Sequence, residues 1–513
     1  MHLSLSSLNC LFFRTAPILA LLGLSVTAKA EVRLPKILSS HAVLQRDQPL
    51  HIWGFSDPNE KVSASIAGVT QSTIADASGD WSVYLPPMHA GGPFELTVAG
   101  TNKIVLDDIL IGDVWFASGQ SNMEMPLNGF PGSAVVKNAA EEIKNANQPN
   151  LRLLFIPHAA TTYPLNDIQG DAAWSVCSPE TAAKFSAVAY FFGRDIAAQE
   201  HIPIGLIDST WGGTPAETWV SLDGLSANSS LMAVFASWAR LADAQADVPA
   251  LRRAEKREDE AARQTHSPLP KHPWHPDPAS WDPSWLFNGM IAPAINYGIR
   301  GVIWYQGETN SKLDRAPLYH QVFSTLIEDW RRHWGEGDFP FLFTQISSFK
   351  SDETEDWPTV RDGQRRTLSV ANTAMAVTID VGDPNNVHPS DKQTVGARLA
   401  LAARAMAYHE DVEYSGPLFR QTSTEEGAIR VWFTHANGGL TAKDGALEGF
   451  EVAGDEHKFL PAAARIDGSS VVLTNSDIKN PRYVRYGWQN APVLNLYNSA
   501  GLPASPFTSE PRF

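Results

Sequence analysis

The sequence predicts an α/β fold with a mostly parallel sheet, flanked on both sides by β-sandwich-like regions. Three observations carry that reading. Between about residues 106 and 408, near-continuous apolar runs alternate with helical patterns, as expected for a sheet covered on both faces. Before and after that stretch the pattern changes to short alternating runs punctuated by turn residues. The chain has 513 residues, 43% hydrophobic and 19% charged, enough for more than one folded unit with a large core.

Residues 1–30 read as an export signal. Arg14 supplies a positive start, Ala16 to Leu24 is apolar and short, and Ala28-Lys29-Ala30 is an A-x-A site that leaves Glu31 first. The apolar run is too short to span a bilayer, so stable membrane insertion is not expected after cleavage. This places the protein in the periplasm or outside the cell. Residues 31–105 then read as an N-terminal β domain. His51-Ile52-Trp53, Val62 to Ile66 and Trp81 to Leu85 alternate sides, and Asp57-Pro58-Asn59, Ser78-Gly79-Asp80 and Gly91-Gly92-Pro93 mark the turns.

Residues 106–408 form the expected catalytic domain. Its buried strands are Ile109 to Ala117, Ile204 to Asp208, Gly301 to Tyr305, Phe341 to Phe343 and Ala374 to Ile379. Helical patterns cover Ala182 to Gln199 and Pro317 to Arg332. Residues 225–285 interrupt the alternation with a charged helical run, Leu251 to Arg263, and a Pro/His/Trp-rich stretch. They read as an insertion, either a wall or lid of a cleft or a solvated excursion. Residues 409–513 return to β-like runs such as Ile429 to Phe433 and Ser470 to Leu473, forming a C-terminal β domain.

Composition excludes several functions. The net charge of −16, made more negative by loss of Arg14 and Lys29 with the signal, argues against nucleic acid as a partner and favours a neutral or weakly charged substrate. Cys10 lies in the signal, so Cys177 stands alone, with no internal disulfide and the character of a buried small hydrophobe. No His/Cys cluster has metal-ligand spacing. Sixteen Trp residues supply flat surfaces suited to the C–H faces of sugars, although most of them belong to the core.

Four polar loops each follow an apolar strand. Ala117-Ser118-Gly119-Gln120-Ser121-Asn122-Met123-Glu124 places a serine at a strand-to-helix turn, where its hydroxyl is exposed above the sheet edge. Asp208-Ser209-Thr210-Trp211-Gly212-Gly213-Thr214-Pro215 offers paired glycines that can aim a backbone N–H. The other two loops are Trp304-Tyr305-Gln306-Gly307-Glu308-Thr309-Asn310 and Asp380 to Pro389, which contains His388. In open α/β sheets such strand ends converge on one ligand site. Any one of these loops is as readily an ordinary turn, but their joint occurrence is the signal.

Together with Phe287 to Pro293, Val387-His388-Pro389-Ser390-Asp391-Lys392, Val484 to Trp488 and Gly501 to Phe507, these motifs resemble the sialate O-acetylesterase group of SGNH-type serine hydrolases. The resemblance implies a serine-type carboxylic ester hydrolase with no cofactor and no metal. It would release acetate from an acetylated mono- or oligosaccharide, either sialic acid or hemicellulose such as xyloglucan or xylan. It implies Ser121 as nucleophile and His388 as base. The oxyanion hole would use the Ser121 N–H, the Gly213 N–H and a side-chain amide from Gln306, with Asn310 as alternative. The superfamily usually has an Asp three residues before the histidine, and Asn385 stands there. Glu308 is therefore the expected acid, with Asp383 as alternative. Two other functions compete: a non-catalytic sugar-binding protein, and a glycosidase using Asp383 and Glu308 as paired carboxylates. Both leave Ser121 and the paired glycines without a role.

Overall fold

The computed structural model describes residues 31–511 except 133, 273 and 274; the expected signal, 1–30, lies outside the described residues. The strands that position the site are β1 (Val43–Gln45), β2 (Leu50–Phe55), β3 (Lys61–Ile66), β4 (Val69–Ile74), β5 (Asp80–Leu85), β6 (Gly91–Ala99) and β7 (Lys103–Gly119). They continue with β8 (Gln148–Phe155), β9 (Ser175–Cys177), β10 (Ile204–Thr210), β11 (Gly301–Tyr305), β12 (Phe341–Thr344) and β13 (Thr373–Ala376).

The main sheet runs β13-β12-β11-β7-β10-β8-β9, and every pair but β8–β9 is parallel. The central parts of its strands are mostly apolar because both faces are covered. Trp115 and Phe116 are neighbours in β7 and so face opposite sides. Trp115 meets Phe192 of the helix Ala187–Glu200, and Phe116 meets Trp330 of the helix Tyr319–Trp334. The first helical pattern is split in two, as Pro179–Ala183 and Ala187–Glu200. The break comes from Ser186, whose hydroxyl accepts the Ala189 N–H at 3.1 Å and caps the second helix.

The long strand β7 changes character along its length. Lys103 to Asp108 is partly exposed and pairs antiparallel with β6. From Ile109 onward it is buried, and it pairs with β1, then with β10 and β11. The expected boundary near residue 105 thus falls inside one continuous strand. One hydrophobic core extends from Val32 to Ala407. A second core joins Ile429, Val431, Val471, Phe450, Val484 and Phe507, from two four-stranded antiparallel sheets in the C-terminal region. Cys177 is buried, its thiol pushed up to about 12 by desolvation. Among the described residues no helix is long and apolar enough to cross a membrane.

Candidate active site

Thr210 and Tyr305 both pair with Gly119, so β7, β10 and β11 end at one level. Gly119 has φ +135°, and a Cβ there would lie 2.1 Å from the Tyr305 carbonyl oxygen. Only glycine permits this turn, which delivers Ser121 to the start of a short helix, Ser121–Glu124. His388 arrives from the loop after β13, just before the helix Lys392–Met406, which Asp391 caps. The loop is shaped locally: Asn386 Oδ1 accepts the His388 backbone N–H at 2.9 Å, and the ring meets Phe130 edge-on at 5.2 Å.

His388 Nε2 and Ser121 Oγ are 2.8 Å apart. Burial, with a smaller push from the Lys392 charge, lowers the imidazole to about 4. It is therefore neutral near pH 7, the state a base requires. The Ser121 and Gly213 residues both border the same cleft, and their backbone N–H groups donate to no described residue. Gly213 has φ +72°, and its carbonyl accepts the Trp281 indole N–H at 2.6 Å. Trp281 belongs to the segment 225–285, so that insertion supplies part of the cleft wall. Gly212 donates to Glu124 Oε2 at 2.7 Å, which ties the glycine loop to the helix that Ser121 opens.

The expected side-chain oxyanion donors are placed elsewhere. Gln306 Nε2 donates to Asn310 Oδ1 at 2.6 Å and to the Thr214 carbonyl at 3.2 Å. Asn310 Nδ2 donates to Glu217 Oε2 at 2.8 Å. Both residues are buried, and buried amides pair with what surrounds them. They hold the loops after β10 and β11 together and do not border the cleft around Ser121. The amide that does border it is Gln120, whose Oε1 accepts the Gly307 and Thr309 N–H groups at 3.3 and 3.2 Å.

Glu308 borders the cleft but makes no hydrogen bond or ion pair with His388 among the described residues. Its Oε1 accepts from Asn122 Nδ2 at 2.5 Å, and its Oε2 is buried without a partner. Asn122 Nδ2 also donates to the Val387 carbonyl at 3.0 Å, and Asn122 Oδ1 accepts from Lys392 Nζ. The Asn122 amide thus sits between a buried cation and a buried carboxylate. Desolvation pushes Lys392 down to about 7 and Glu308 up, each partly offset by the other's charge. Asp383 accepts the Asn385 backbone N–H at 2.8 Å within its own turn and likewise makes no bond to His388 among the described residues.

The cleft has a volume of about 730 Å³. Its apolar surface comes from Phe130, Trp211, Trp281, Phe349 and Trp357. His158 stacks on Trp211 with centroids 4.4 Å apart and planes 4° from parallel, and its Nε2 lies 2.9 Å from Glu124 Oε1. Among the described residues no group of three or more His, Cys, Asp or Glu side chains is placed to hold a metal ion. The roles of Asn122, Lys392 and His158 are absent from the motif reading. Asn122 and Lys392 stand within the quoted motifs, but their burial and pairing arise only on folding. His158 had no signal in the sequence.

A serine hydroxyl bonded to a neutral imidazole at the carboxyl ends of a parallel sheet is the arrangement that serine hydrolases use. Residues 274–405 match the family profile described as carbohydrate esterase, sialic acid-specific acetylesterase. The sialate O-acetylesterase of Mus musculus is 30% identical, with 96% of this chain and 97% of that protein covered. The Homo sapiens enzyme is also 30% identical, over 93% of this chain and 92% of its own. A crystal structure of a carbohydrate acetylesterase from Xanthomonas citri is 35% identical, covers 93% of this chain and 99% of its own, and superposes with a TM-score of 0.80. The chain belongs to the sialate O-acetylesterase family.

Proposed function

We propose that this protein is an exported carbohydrate O-acetylesterase that works through a serine acyl-enzyme. The observation that carries the reading is the 2.8 Å contact between Ser121 Oγ and His388 Nε2 in a cleft walled by aromatic rings. Ser121 attacks the acetyl carbon while His388 takes the hydroxyl proton. The carbonyl oxygen gains charge and accepts from the Ser121 and Gly213 N–H groups, each such donor being worth about 3–4 kcal/mol of barrier. His388 then protonates the departing sugar oxygen. Water, with His388 again as base, attacks the acyl carbon and releases acetate.

Glu308 is the acid of this scheme. Its Oε2 is buried without a partner beside the cleft that His388 also borders, and could accept from an imidazolium, while Asn122 holds its other oxygen. Asp383 is engaged within its own turn.

The walls favour an uncharged acetylated sugar over sialate. Glu124, Glu308 and Glu355 border the cleft, and its Lys312 is already paired with Glu355 at 2.9 Å. A substrate carboxylate would find no unpaired Lys or Arg among the described residues that line the cleft. The test is acetate release from acetylated sialosides beside acetylated neutral oligosaccharides. Higher kcat/KM on the neutral set is expected; a preference for sialosides would refute the charge argument while leaving the serine mechanism standing.

A further inference from the structure

The ribbon formed by β2 and β5 lies away from the strand ends that carry Ser121. Its register pairs His51 with Tyr84, Trp53 with Ser82 and Phe55 with Asp80. Cross-strand partners share a face, so these six side chains lie on one side of the ribbon. That side borders a separate cavity of about 430 Å³, also lined by Asp76, Asn166 and Asn296.

The rings there are ordered as a stack. His51 lies parallel to Tyr84, with centroids 4.4 Å apart and planes at 9°, and against Trp53 at 5.1 Å and 28°. Tyr84 is nonetheless 60% exposed, so its phenol is a flat surface open to solvent. His51 Nδ1 lies 3.1 Å from the Asn296 carbonyl oxygen. A carbonyl only accepts, so the proton is on Nδ1 and Nε2 is left as an acceptor. That Nε2 is buried and has no partner among the described residues. Asp80, Asn166 and Asn296 also make no side-chain hydrogen bond among the described residues. Asp76 uses only Oδ1, which accepts from the Ser78 and Asp80 N–H groups.

An open aromatic face rimmed by free amides and carboxylates matches a sugar ring, with its apolar C–H face and its rim of hydroxyls. The two aspartates disfavour an anionic ligand. Asn296 precedes β11, whereas the catalytic loop follows that strand, so the cavity lies toward the opposite end of the sheet from Ser121. We propose that this cavity is a second saccharide-binding site, which holds a neutral polysaccharide by a ring stacked on Tyr84, remote from the ester being cleaved. It stands independently of the esterase reading.

The test is affinity electrophoresis of the full chain in native gels cast with hydroxyethyl cellulose, galactomannan or arabinoxylan. At least one polysaccharide should retard the parent protein. Tyr84→Ala should weaken that retardation about ten-fold in apparent Kd, a loss of one stacking contact, and Tyr84→Trp should restore it. The melting temperature and p-nitrophenyl acetate hydrolysis of Tyr84→Ala should match the parent. Retardation by none of the polymers, or equal retardation of parent and Tyr84→Ala, would overturn the proposal. A parent that binds polymer through Tyr84 but hydrolyses no acetyl ester would defeat the esterase reading and leave this site intact.

Discussion

Ser121 and Glu308 stand at the ends of neighbouring strands, β7 and β11, yet their surroundings differ. Ser121 opens a helix beside free backbone N–H groups and touches His388 directly. Glu308 lies buried behind Asn122, one oxygen bonded and the other not. Ser121 and His388 are already joined by a hydrogen bond, whereas Glu308 makes none to His388 among the described residues. The difference teaches that Ser121 is placed by a backbone turn that only Gly119 permits, whereas Glu308 is placed by side-chain pairing with Asn122.

Breaking the nucleophile side should have the largest effect. Ser121→Ala should lower kcat on p-nitrophenyl acetate by about a million-fold with an unchanged melting temperature. Near-normal turnover in a clean preparation would remove Ser121 from the mechanism.

The carboxylate side is tested by two isosteric changes. Glu308→Gln keeps the shape and the acceptor for Asn122 but removes the charge. It should lower kcat by a factor of about 10³–10⁴ if it acts as triad acids do elsewhere. Asp383→Asn should leave kcat nearly unchanged. A dead Asp383 variant beside an active Glu308 variant would reverse the assignment. A Glu308 variant that melts early but turns over normally would make the residue a buttress.

The smallest effect concerns pH. His388 is held at about 4, first by burial and then by Lys392. Its acid limb in kcat/KM should therefore fall near pH 4, because activity requires the neutral ring and is lost as pH drops through that value. Lys392→Met removes the repelling charge and should move the limb upward, toward the ordinary value near 6.5. The same depression has a stability cost. Between about pH 6.5 and 4 the unfolded chain binds a proton that the folded chain refuses, so stability should decline as pH falls across that window. An unmoved limb in Lys392→Met would assign the whole shift to burial.

The strand-and-helix alternation was legible because buried parallel strands are apolar at every position, as in Gly301–Tyr305. The loops that meet at the cleft were legible because each follows such a strand. The hydrogen-bond partners of Gln306 were not legible, for a physical reason. A side-chain amide next to a strand end has several acceptors within reach, and packing against Thr214, Asn310 and Tyr319 decides among them. The sequence holds no record of that choice. The pairing of Asn122 with Lys392 was likewise invisible, since these residues lie far apart in the chain and meet only on folding.

Strand β7 has one more consequence. Its first half is bound to β6 and its last residue precedes Gln120 and Ser121, so what looks like an appended N-terminal module is the root of the strand that leads to Ser121. A chain cut at residue 106 would retain Ser121 but lose β1 and β6 altogether, leaving bare backbone along β7 where those partners had been. Because the side chains from Val32 to Ala407 form one core, these two regions should lose structure in a single cooperative step. The C-terminal region has its own core around Val431 and Phe507, yet Arg361 donates to the Gln489 and Asn490 carbonyls and Gln345 to Ser505, which tie it to the sheet.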